Sequence, residues 1–99
     1  MMKKLMKTVA LTALLVLPAL GAQAECYADY KAKRDNPLKL HYGVVQLPDN
    51  ACGSLQAAAS NISQRLAANG WVLLNVLSIF DASGLPQRRE SAGEYYLRY

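Results

Sequence analysis

The sequence is short of the residues on which enzyme chemistry usually depends. It has one histidine, His41, so any serine-hydrolase, cysteine-protease or histidine-metal scheme must pass through that side chain. No serine lies in a Gly-x-Ser-x-Gly elbow. The six glycines stand singly, which excludes a phosphate-cradling glycine loop. The two cysteines, Cys26 and Cys52, do not form a Cys-x-x-Cys redox motif, and no ligand spacing for zinc surrounds His41. No cofactor and no metal are therefore expected. Charge of one sign is scarce as well. Three of the 11 Lys/Arg (Lys3, Lys4 and Lys7) lie in the first 24 residues, leaving eight basic against 7 acidic residues in the remainder. A near-neutral domain implies no nucleic-acid partner.

What is present begins with an export signal. Met1 to Lys7 carries the three lysines, Val9 to Leu17 is apolar, and small residues lead to Ala22-Gln23-Ala24. That order is a Sec-type secretory signal of short, bacterial type, with cleavage expected after Ala24. The apolar run ends at Pro18, well below the roughly 20 residues that span a bilayer, so no stable membrane anchor is expected. Cys26 follows Glu25 rather than a small residue, which argues against lipid attachment. The expected destination is the periplasm or the exterior. There Cys26 and Cys52 are expected to form one disulfide, whose 26-residue separation contributes about 3.5 kcal/mol in the chain-entropy view.

Residues 25–99 read as one small α+β domain, without repeats or linkers. An N-terminal arm, residues 25–38, is expected to hold a short helix over Cys26 to Arg34, stopped by Asp35-Asn36-Pro37. Lys39 to Leu47 alternates and reads as the first strand, closed by Pro48-Asp49-Asn50. Leu55, Ala58, Ala59, Ile62 and Leu66 recur at helical spacing, with Ser54 as N-cap and Asn69-Gly70 as the stop. Trp71 to Phe80 is almost continuously apolar, as in a strand covered on both faces. Asp81 to Gly93 is a polar excursion, and Glu94 to Tyr99 alternates as a last strand. The expected fold is a three-stranded mixed sheet with one main helix on one face, in the order β-α-β-β over residues 39–99. Its deepest residues should come from Leu55, Ile62, Leu66, Trp71, Leu73, Val76 and Leu77.

The helix exit Ala68-Asn69-Gly70 followed by Trp71-Val72-Leu73-Leu74, with a short aromatic strand at the end, resembles a group of small bacterial β-α-β-β domains of unknown function. The resemblance covers residues 39–99, and Gly70-Trp71 is its most specific piece. It implies the fold and no activity. The arm, the disulfide and the Asp81 to Gly93 excursion depart from that pattern.

Two functional expectations remain. The first is a non-catalytic interaction module. Tyr95, Tyr96, Arg98 and Tyr99 combine residue types enriched at protein and carbohydrate contacts, and Arg88 and Arg89 form a basic pair suited to an anionic surface. The sheet face opposite the main helix is the expected contact surface, for an unknown protein, an envelope component or a second copy of the chain. The second is a small hydrolase in which His41 works with a loop carboxylate, Asp81, Glu90 or Glu94.

Overall fold

The computed structural model describes residues 25–99. The export signal expected in residues 1–24 lies outside the described residues. The domain is α+β, with three strands and two helices. Strands β1 (Cys26–Arg34) and β2 (Lys39–Leu47) form a hairpin; helix α1 (Leu55–Ala67) leads to strand β3 (Val72–Phe80); and a short helix, α2 (Pro86–Ala92), precedes the C-terminal segment. Cys26 and Cys52 are joined by a disulfide with their Cα atoms 6.1 Å apart, tying the start of β1 to the turn before α1. No helix among the described residues is long and apolar enough to cross a membrane.

The arm expected to be helical is instead the central strand. The sheet order is β2-β1-β3, and β1 pairs antiparallel with both neighbours. The sheet is therefore antiparallel rather than mixed, and the element order is β-β-α-β. Helix propensity for Ala, Lys and Arg is a weak preference that pairing on both sides overrides. The alternation was available in the residues: Ala28, Tyr30 and Ala32 are fully buried on one face, and Tyr27, Asp29, Lys31 and Lys33 take the other. With β1 inserted between them, β2 and β3 run parallel on either side of it and α1 makes the crossover, which is a split β-α-β arrangement.

Helix α1 starts and stops where its residues dictate. The Ser54 hydroxyl accepts a hydrogen bond from the Ala57 amide at 3.0 Å, and Gly70, at φ 82°, takes the left-handed turn that lets the Trp71 amide reach the Leu66 carbonyl. Ala58, Ile62 and Leu66 enter the core with Ala28, Tyr30, Ala32, Val45, Leu47 and Trp71. Leu55, expected in the core, is exposed in the first turn.

Strand β3 carries two register shifts against β1. Each places an extra residue opposite one partner, so the side chains do not simply alternate. Leu73, Val76 and Ile79 pack on the core beneath α1, while Val72, Leu74 and Leu77 are exposed. Leu77 therefore lies outside the core, whereas Val76 packs on the helix side as a core residue should. The polar excursion of Asp81 to Gly93 contains α2, which crosses the second sheet face. Glu94 to Tyr99 does not form a third sheet strand. Gly93, at φ 56°, begins a helical turn, and the segment then meets β2 through one bridge, Val44 to Tyr96.

Candidate functional site

Two side-chain clusters and one open surface are candidates. The first cluster lies on the second sheet face, where Asp29 of β1 faces Ser78 of β3. Asp29 accepts hydrogen bonds from the Ser78 hydroxyl at 2.7 Å, the Tyr42 hydroxyl at 2.8 Å and Arg88 Nε at 3.0 Å. Burial pushes the Asp29 carboxyl up, but the bonds from Ser78, Tyr42 and Arg88 and the Arg88 charge outweigh it and hold the carboxyl below its ordinary value. The Tyr42 hydroxyl is pushed up to about 12, by burial first and then by its bond to Asp29. Arg88 also donates to the Gly84 carbonyl at 2.8 Å and lies 3.9 Å over the Phe80 ring. A carboxylate that accepts from three partners beneath a helix acts as a tie. It fastens α2 to all three strands.

The second cluster lies on the helix side at the far end of the sheet. The His41 ring stacks on Tyr95 at 3.7 Å between centroids and meets Trp71 edge to face at 4.3 Å. Its Nε2 shares a hydrogen bond with the Tyr30 hydroxyl at 2.9 Å, and its Nδ1 is buried without a hydrogen-bond partner among the described residues. Burial first, then the charges of Arg34 and Arg98, lower the His41 pKa against an opposing effect of Glu94. Trp71 Nε1 donates to the Tyr99 hydroxyl at 3.1 Å, and the Arg34 guanidinium sits 4.0 Å over the indole. Tyr30 reaches His41 because Gly43 stands opposite it in the β1–β2 ladder. A Cβ at Gly43 would press on the Tyr30 hydroxyl and come within 2.5 Å of its Cζ. Replacing Gly43 by Ala is thus expected to displace Tyr30 and cost about 1–3 kcal/mol, as overpacking does. Thermal unfolding checks this, and a wild-type midpoint would mean that the Tyr30 ring is not held in place.

The six binding candidates fall into three places. Tyr95 and Tyr99 pack on the His41 cluster, with Arg98 5.6 and 5.5 Å from their rings. Tyr96 lies near Arg89, 5.5 Å away. Arg88 turns inward to Asp29. Of the carboxylates, Asp81 caps the turn after β3 by accepting from the Ser83 amide at 3.0 Å. The hydrogen-bond partner of His41 is a tyrosine rather than a carboxylate. Asp29 escaped the sequence reading because it lay in the expected helix; its sole signal was an acid on the Tyr27, Lys31 face of an alternating segment.

The open surface is the half of the second sheet face that α2 leaves uncovered. Leu40 is 64% exposed, Val72 53% and Leu74 50%, and Lys31 and Lys33 stand between them on the central strand. A groove of about 280 Å³ lies here, lined by Lys31, Ala32, Leu40, His41, Tyr42 and Leu74. Among the described residues no group of His, Cys, Asp and Glu is placed to hold a metal ion. No protein-family model, curated protein or solved structure matches the chain.

Proposed function

We propose that this is an exported, non-catalytic interaction module of the bacterial periplasm or exterior, and that its partner docks on the open half of the second sheet face. The observation that carries this reading is the apolar strip of Leu40, Val72 and Leu74 divided by Lys31 and Lys33. Exposed apolar side chains on either side of two cations offer a partner both apolar area to bury and charge to match. The two lysines favour a partner whose apolar patch carries acidic groups, either a protein or an anionic envelope component. Export follows from the signal read in residues 1–24 and agrees with the disulfide. The hydrolase alternative has less support, because the His41 ring is stacked against Tyr95 and bonded to the buried Tyr30.

The test is capture from a native envelope fraction with the oxidised protein, run beside the variant Lys31→Glu with Leu40→Asp. Both positions are exposed, so the fold should be retained. A partner held by the wild type and lost by the variant supports the reading. The same set of proteins captured by both would overturn it, and so would a hydrolytic activity abolished by His41→Gln.

A further inference from the structure

We propose that a second copy of this chain docks on the free edge of β3, the two strands pairing antiparallel about a two-fold axis to join two three-stranded sheets into one. This deepens the interaction-module reading by naming one partner, and it uses the sheet edge rather than the open face.

The fold treats its two outer edges differently. The edge of β2 is met by the C-terminal segment, where Tyr96 bridges Val44 and the Leu97 amide donates to the Val44 carbonyl at 2.8 Å. Strand β3 pairs with β1 alone, and none of the turn and loop hydrogen bonds among the described residues reaches residues 72–80. About half of the amides and carbonyls of this nine-residue strand therefore point outward without a partner among the described residues. Proteins normally guard such an edge with lysine, other charges, proline or bulges. The strand, VLLNVLSIF, has no charge and no proline; its two register shifts against β1 are its one guard, and Val72, Leu74 and Leu77 still expose their side chains along it, Leu77 at 41%.

The occupant follows from self-complementarity. Pairing about Val76 sets Val72 beside Phe80, Leu74 beside Ser78 and Asn75 beside Leu77 of the other copy, so apolar groups meet apolar or small polar ones and no like charges oppose. The strand ends are oppositely charged. Asp81 follows β3, and at its other end Arg34 is held on the Gly70 carbonyl at 3.4 Å and over Trp71. An antiparallel pair brings Asp81 of each copy to the Arg34 end of the other, twice by symmetry.

Sedimentation velocity on the exported, oxidised protein is expected to show a concentration-dependent monomer-dimer equilibrium. Hydrogen exchange should show residues 72–80 becoming protected as the dimer forms. Asn75→Lys with Leu77→Lys puts lysine opposite lysine at the centre of the pair, and is expected to weaken association by more than about tenfold while disulfide and circular dichroism stay native. Should the double variant fold poorly, Leu77→Lys alone replaces an apolar edge contact by a charge opposite Asn75 of the other copy and is expected to weaken association in the same direction. The Lys31→Glu, Leu40→Asp variant should dimerise as the wild type does, which separates failure of this inference from failure of the open-face reading. A wild type that stays monomeric with β3 amides unprotected would overturn the proposal, as would a dimer that survives the lysine variants. Protection of β3 only by an extended segment of another protein would assign the edge to that segment instead.

Discussion

Replacing Asp29 by Ala is expected to destabilise the domain by about 3–5 kcal/mol, the cost of leaving one partner of a buried ion pair behind. The Asp29 side chain is 8% exposed and that of Arg88 22%. Without the carboxylate the Arg88 guanidinium is left beneath α2 with the Gly84 carbonyl as its remaining strong acceptor, and the Tyr42 and Ser78 hydroxyls lose theirs. Small domains possess about 5–15 kcal/mol in total, so the variant should unfold near physiological temperature. Replacing Arg88 by Ala should cost less, because two hydroxyl donors still hold the Asp29 charge. Urea unfolding of the two variants checks the order; equal small losses would mean that α2 is held by packing alone.

The same cluster sets the behaviour in acid. The Asp29 pKa is lower in the folded protein than its ordinary 3.8, so the stability it contributes is present above pH 3.8 and is lost as the pH falls through the folded value. His41 acts in the same direction at higher pH. Its folded pKa lies below 6.5, so below pH 6.5 the unfolded chain takes up a proton that the buried ring resists, and stability falls. Asp29→Asn should flatten the lower part of a plot of melting temperature against pH, and His41→Phe the upper part.

The elements that the sequence disclosed are those whose signal is local. The Ser54 cap, the Gly70 exit and the Ala58, Ile62, Leu66 spacing define α1 without reference to the rest of the chain, and the disulfide needed only the expectation of export and a count of two cysteines. Strand β1 was missed because its pattern of Ala, Lys and Arg suits a helix locally. Only the pairing on both sides and the Cys26 bridge make it the centre of the sheet. The two shifts in β3 were invisible for a related reason: a run of Val, Leu and Ile shows no polar contrast from which a bulge can be read. The His41 cluster was half legible. Tyr95 and Tyr99 stood out as an alternating aromatic pair, but their role depends on the C-terminal segment folding over β2, and Tyr30 depends on Gly43 leaving room.

The core of α1 supplies the second large effect. Ile62 and Leu66 have no exposed surface, and both pack with the central-strand residues Ala28, Tyr30 and Ala32. Ala28 and Ala32 are small, so the helix sits close to the sheet, and neither can move to fill a space that a larger side chain vacates. Truncating Ile62 or Leu66 to Ala should therefore cost about 2–5 kcal/mol each, through lost burial and the cavity left behind. Leu55 and Leu77 are exposed, and truncation at either should cost under about 1 kcal/mol, since little of their surface leaves water on folding. Chemical denaturation of the four single variants separates the two pairs. Comparable losses at Leu55 and Ile62 would place the first turn of α1 against the sheet and rotate the helix from the position described, while a small loss at both Ile62 and Leu66 would remove α1 from the core.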